Sequence, residues 1–319
     1  MSSAAREHAV GLAIALLAAL AAVPNAWTQT VPRPAQRPGA AERNEMLEVD
    51  DGTPLTLPDG VRVIRDVPYG ADARHRFDVY VPANAKSAPV LFMVHGGAWF
   101  LGDKGMKRVV ENKVARWVPK GFVFVSTNYR LMPAADPVEQ ARDVARALVA
   151  AQGQAASWGG DPGRFVLMGH SAGAHLVSLL ASDPKALAPG ATPWLGTVAL
   201  DSAAFDVEKI MDARHFPFYD RAFGKDRAYW KRASPFHAVT TKGAPLLAVC
   251  STRRSDACPQ AADYVAKASS LGSQASVLTQ NLTHREINER LGEEPKYTRA
   301  VESFLASLHP SLATRLQVP

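Results

Sequence analysis

The chain has only two cysteines, Cys250 and Cys258, among 319 residues. So few cannot supply the four ligands of the usual structural zinc site, nor staple a small disulfide scaffold. They can make one local bridge, in an oxidising compartment. No block of like charge stands out. The 36 Lys and Arg against 30 Asp and Glu leave a formal charge of +6. Part of that excess is arginine before residue 45, and the signs are interspersed elsewhere, which excludes the concentrated basic face of a nucleic-acid binder. The absence of an internal repeat excludes solenoids and propellers. No apolar run reaches the ~20 residues that a membrane-spanning helix needs, so no stable membrane insertion is expected.

The longest apolar run, 10–23, is about 14 residues, too short to span comfortably. It follows Arg6 and His8 and precedes the small residues Ala26 and Thr28, the order of a secretory signal over 1–28. The expectation is an exported protein, periplasmic or secreted, with a retained N-terminal anchor as the alternative. Residues 29–45, rich in Pro, Arg and Ala, read as a solvated linker. That leaves 46–319 as one folded domain, and 47% hydrophobic residues suffice for one sizeable core.

Within that domain short apolar runs alternate with amphipathic stretches. Strands are expected at 77–81, 90–94, 122–127, 165–168, 197–200, 245–250 and 276–278, with 82–89 as the turn between the first two. Residues 137–150 carry Val138, Ala141, Val144, Ala145 and Leu148 at helical spacing, and 174–181 continue as a second helix. Strands separated by helices imply an α/β fold with a mostly parallel central sheet flanked by helices. In such sheets sites form at the carboxyl ends of the strands.

Gly169-His170-Ser171-Ala172-Gly173 sits at one such end, between an apolar strand and a helix. That context makes it a candidate nucleophile elbow. A serine nucleophile needs a base, an orienting acid and donors for an oxyanion. His284, just past the last expected strand, is the base expected from position. Asp256 follows the preceding strand and keeps the chain order Ser, Asp, His, so it is the expected acid; Asp201 and Asp206 are the alternatives. A Cys250–Cys258 bridge would close the loop that carries Asp256. Donors are expected from the N–H groups of Gly97, Ala98 and Ala172, because His95-Gly96-Gly97-Ala98-Trp99 follows another apolar strand. Trp99, Phe100 and His170 are the expected substrate-binding residues. The aromatic-rich stretch 205–236 is an insertion suited to a partial cap. The chemistry requires no metal and no organic cofactor.

Together these motifs resemble the α/β-hydrolase superfamily, in particular the esterase and lipase branch with an H-G-G-x-W loop. His95 to Trp99, with Gly102-Asp103-Lys104 behind, is similar to bacterial carboxylesterases of the feruloyl- and acetyl-esterase-like group. The Gly169 to His175 stretch is similar to that group and to kynurenine formamidases. The resemblance implies an α/β-hydrolase fold and a serine hydrolase that cleaves a small-molecule ester through an acyl-enzyme. A formamide hydrolase and a non-catalytic binding protein on the same fold are the alternatives.

Overall fold

Residues 90–94, 122–125 and 165–168 are apolar without interruption, a pattern a strand can satisfy only inside a sheet covered on both faces. In the computed structural model, which describes Gly52 and residues 54–317, they form the middle of an eight-stranded sheet. The signal and linker expectations over 1–28 and 29–45 lie outside the described residues. The strands are β1 (Arg62–Pro68), β2 (Arg76–Val81), β3 (Ala88–Val94), β4 (Val123–Thr127), β5 (Gly160–His170), β6 (Gly196–Leu200), β7 (Leu246–Ser251) and β8 (Ala275–Gln280). Their order is β1-β2-β4-β3-β5-β6-β7-β8. From β4 onward every neighbouring pair is parallel, and β1 and β2 join antiparallel at one edge. The 82–89 segment is therefore no hairpin turn: it carries the chain past the place that β4 fills.

Successive side chains of a strand point to opposite faces. Val90, Phe92 and Val94 pack on one side with α2 (Pro137–Gln154) and α3 (Ala172–Ser182), through Ala141, Val144 and Leu148 and through Leu176 and Leu180. Leu91 and Met93 pack on the other with α1 (Lys107–Trp117) and α6 (Pro295–Leu308), through Val110, Trp117, Val301 and Leu305. Each such side chain contributes about 1.5–3 kcal/mol on full burial. Helix α2 starts where the sequence expects it, because Pro137 opens its first turn and the Asp136 carboxylate accepts from the N–H groups of Val138 and Glu139.

Strand β1 has no counterpart among the expected strands. Its residues are mostly exposed, Asp66 sits at φ 57°, and the register shifts between Ile64 and Val67. A bulge of this kind breaks the alternation by which a strand is recognised. The insertion over 205–236 folds as short helices, Val207–Met211, Pro217–Phe223, Arg227–Arg232 and Pro235–Ala238. Its Tyr219, Phe223 and Trp230 are buried.

Cys250 in β7 and Cys258 in α4 (Ala257–Ser270) are joined by a disulfide. Constraining so short a loop in the unfolded chain is worth about 2–3 kcal/mol. The double substitution Cys250→Ser with Cys258→Ser should lower unfolding stability by that amount in urea titrations. An unchanged midpoint would count against the bridge as a stabilising element.

Candidate active site

Ser171 forms the corner between β5 and α3 at φ 55° and ψ −118°, a conformation that non-glycine residues rarely adopt. The strain is held from three sides. The Ser171 N–H donates to the Leu200 carbonyl at 2.9 Å, and its carbonyl accepts from the His175 N–H at 3.1 Å. The flanking glycines let the strand and helix close: a Cβ at Gly169 would run into the Gly173 carbonyl, and one at Gly173 into the carbonyls of Val94 and His95.

Beside the corner runs the loop after β3. Gly97, Ala98 and Trp99 follow one another at φ 109°, 50° and 68°. Two of the three are not glycine, so the loop must be fastened. The N–H groups of Phe100 and Leu101 both donate to the Gly97 carbonyl, at 3.0 and 2.9 Å. Tyr129 Oη–H donates to the His95 carbonyl at 3.1 Å, and the Gln140 amide to the Trp99 carbonyl at 2.9 Å. Among the described residues no acceptor takes the N–H of Gly97 or Ala98.

The Trp99 indole N–H donates to His175 Nδ1 at 3.2 Å, and His175 Nε2–H in turn donates to the Ala233 carbonyl at 2.7 Å. That arrangement requires the neutral imidazole. Burial supplies it, drawing His175 down to about 4 against the Ala233 contact. His175 thus links the loop, α3 and the insertion.

His284 opens α5 (His284–Glu289), whose start is fixed by a capping box: the Thr283 hydroxyl accepts from the Glu286 N–H, and the Glu286 carboxylate from the Thr283 N–H. The imidazole is 2% exposed. Its Nδ1–H donates to Asp201 Oδ2 at 2.6 Å, while its Nε2 has no hydrogen-bond partner among the described residues. It packs against His170, the neighbour of Ser171, with ring centroids 4.5 Å apart and the planes tilted by 38°. Burial first, then His170, hold this imidazole down to about 4, against the pull of Asp201.

The carboxylate at His284 is Asp201, not the expected Asp256. Asp201 is the first residue past β6, fully buried at φ 56°. Its Oδ1 accepts from the Ser251 N–H at 2.7 Å, and its Oδ2 from Arg254 Nη1 at 2.9 Å as well as from His284. Burial alone would push this carboxyl up; Arg254 above all, then His284 and the Ser251 N–H, overcome it and hold the group well below the usual carboxylate range. Asp256 lies at the N-terminal end of α4 with its side chain 42% exposed, turned to Arg254 Nη2 at 3.1 Å. Strands β6 and β7 are neighbours, so both loops end near His284, and it is the shorter path from β6 that brings a carboxylate inside. The bridge between Cys250 and Cys258 consequently brackets Arg254 as well as Asp256.

Two of the three expected substrate-binding residues are placed elsewhere. His170 is fully buried, with Nε2 3.0 Å from the His284 carbonyl, so it supports His284 from beneath. Phe100 lies under the Arg221 guanidinium, whose carbon is 4.3 Å from the ring centre, and is not among the residues that line the cavity at Ser171. Trp99 does face Ser171. It walls a small cavity, about 10 Å³, together with Ser171, Ala203, Ala204, Phe218 and Tyr219. The insertion therefore covers the serine, as a cap would. Among the described residues no group of three or more metal-ligating side chains is gathered, and no helix is long and apolar enough to cross a membrane.

The family BD-FAE matches residues 77–216. Esterase LipQ of Mycobacterium tuberculosis is 32% identical over 198 residues, covering 57% of this chain and 46% of its own. Isoprenylcysteine alpha-carbonyl methylesterase ICME of Arabidopsis thaliana is 31% identical over 163 residues, covering 48% of this chain and 37% of its own. The chain thus spans about half or less of the length of these curated relatives. Among solved structures, esterase B from Lactobacillus rhamnosis superposes with a TM-score of 0.66 at 20% identity, covering 82% of this chain and 90% of the other. A thermophilic esterase from Thermogutta terrifontis gives 0.63 at 18% identity, covering 79% and 95%. At these identities the likeness is one of fold.

Proposed function

Since the chain belongs to the α/β-hydrolase esterase and lipase family, we propose that it is a serine carboxylic ester hydrolase in which Ser171, His284 and Asp201 carry the reaction. One observation supports this above the rest. A buried imidazole gives its Nδ1–H to a buried carboxylate and keeps Nε2 unpartnered, its ring packed on that of His170, the residue before a serine held in a strained turn. That tautomer is the one a general base needs. Nε2 takes the Ser171 proton as Oγ attacks the ester carbonyl, and Asp201 stabilises the imidazolium that forms. The oxyanion falls to the N–H groups of Gly97, Ala98 and Ala172; each donor of this kind is worth about 10²- to 10³-fold in kcat. His284 then protonates the leaving alcohol, and a water activated by the same Nε2 cleaves the acyl-serine.

The close approach of Trp99, Phe218 and Tyr219 around Ser171 leaves little room beside the serine, which supports short acyl groups as substrates. The bridged cysteines support the exported location read from residues 1–28. The purified protein is expected to hydrolyse p-nitrophenyl acetate faster than the octanoate, to leave N-formylkynurenine uncleaved, and to take up one fluorophosphonate label at Ser171. Absence of both label and turnover would overturn the reading. Cleavage of N-formylkynurenine in preference to the acetate would replace it by the formamide one.

A further inference from the structure

Arg254 stands in the loop after β7, where an acid was expected, and the mechanism above gives it no task. Its side chain is 6% exposed. Nη1 donates to Asp201 Oδ2 at 2.9 Å and to the Asp201 carbonyl at 3.3 Å, and lies 3.0 Å from His284 Nδ1. Nη2 lies 3.2 and 3.1 Å from the two oxygens of Asp256. One buried cation therefore touches both members of the acid–base pair and is anchored from outside by a second carboxylate. Since His284 Nδ1 has a single proton to give, the guanidinium cannot donate to it while Asp201 receives that proton. The two contacts compete for one atom, and where the guanidinium rests decides between them.

On the reading of Ser171, His284 and Asp201 as the catalytic set, we propose that Arg254 is a positioning residue. It fixes the Asp201 carboxylate in the orientation that receives the His284 Nδ1–H, and Asp256 is the tether that keeps the guanidinium from closing on the imidazole. The rotation of Asp201 is locked from both ends. Oδ1 is held by the Ser251 N–H and Oδ2 by Nη1, so the carboxylate faces the imidazole before substrate arrives.

The charges of the cluster follow from the same contacts. Asp201, Arg254 and Asp256 sum to one negative charge, which the imidazolium formed during attack brings to zero. Without Arg254 the resting sum is more negative by one, and without Asp256 it is zero and becomes positive as the imidazolium forms. The other groups around the imidazole are His170 from β5, packed at a tilt against it, and Tyr297 from α6, whose Oη–H donates to the Ile287 carbonyl within α5. Lys113 from α1 donates to the Asn288 carbonyl at 2.6 Å, on the same helix. In its own turn Glu286 is paired with Arg253 at 3.4 Å, and Arg285 with Glu289 at 2.9 Å. Arg254 is the cation that reaches the ring itself.

Because Arg254 holds the imidazole down, its loss should move the base upward. In Arg254→Met the acid limb of kcat/KM for p-nitrophenyl acetate should rise by about one pH unit above that of the wild type. At the plateau kcat should fall by about tenfold, with KM within threefold, because the carboxylate is no longer fixed. Arg254→Lys should return the limb while recovering only part of kcat, since an ammonium cannot span Asp201 and Asp256 as a fork does. Asp256→Asn should shift the limb the opposite way, downward by about a few tenths of a unit, that carboxylate being half exposed and screened.

The experiment pairs these profiles with NMR titration of the His284 ring nitrogens and a melting curve for each variant. Limbs and midpoints of Arg254→Met and Asp256→Asn that stay in place, or move in the same direction, would overturn the assignment. If Arg254→Met does not fold, Asp256→Asn decides alone: a limb that stays in place or rises in that variant overturns the proposal. Wild-type protein whose imidazole and variants titrate as described but which cleaves no ester would overturn the esterase reading alone.

Discussion

Replacing Ser171 by alanine is expected to lower kcat for p-nitrophenyl acetate by about 10⁴- to 10⁶-fold and to abolish fluorophosphonate labelling. The size follows from what remains. The donors at Gly97, Ala98 and Ala172 and the cavity walls still hold an ester, but His284 has no hydroxyl to activate. Alanine accepts the φ 55° of this corner no worse than serine does. The hydrogen bonds that hold the turn, from the Ser171 N–H to Leu200 and from the His175 N–H to the Ser171 carbonyl, are backbone bonds and survive. The variant should therefore melt within a few degrees of the wild type, equivalent to about 1 kcal/mol or less. Activity above one per cent of wild type in a well-folded Ser171→Ala protein would place the nucleophile elsewhere.

The second large effect separates two aspartates. Asp201→Asn should cost about 10⁴-fold in kcat, because a side-chain amide can donate to Nδ1 and so favour the tautomer that carries its proton on Nε2, the wrong nitrogen for a base. Asp256→Asn should cost only about two- to threefold at pH 8, since that carboxylate reaches the base only through Arg254 and is partly screened by water. Parallel rate measurements on both variants decide the matter. A loss at Asp256 that equals or exceeds the loss at Asp201 would restore the acid to the β7 loop. Burial adds a stability component at position 201. An asparagine there leaves the Arg254 cation with one carboxylate instead of two, so melting should be recorded and rates taken well below the transition.

The difference between the two aspartates also marks where sequence reasoning ran out. Strands β3, β4 and β5 were legible because both faces of each are covered, so each contains an unbroken apolar run, 90–94, 122–125 leading into β4, and 165–168. Ser171 and the Gly97 loop were legible because their chemistry depends on backbone shape, which glycine spacing and strand context betray. His284 could be placed because it follows the last strand, and the Thr283 to Glu286 capping box at its own helix start was a further local signal. The acid is different in kind. Chain order admits Asp201 as readily as Asp256, and the choice rests on how two adjacent loops fold over each other. One trace was present: Asp201 follows an apolar strand directly, while Asp256 has two arginines close before it as ready partners. His170 was misjudged because the residue between the first glycine and the serine of the elbow turns back beneath the corner, a direction set by the turn and not by residue type. Strand β1 escaped because its bulge and its exposed edge erase the alternation.

The string from Trp99 through His175 to the Ala233 carbonyl bears on how this protein could be re-engineered. Exchanging the aromatic segment for that of another hydrolase, the obvious route to a new substrate range, would also exchange the acceptor that sets the proton on His175. A graft that failed to present a carbonyl at position 233 would free His175 to protonate Nδ1 and release the indole, and with it the loop that carries Gly97 and Ala98. Specificity and rate are thus wired to one backbone oxygen, and a transplant that respects it can vary everything around it.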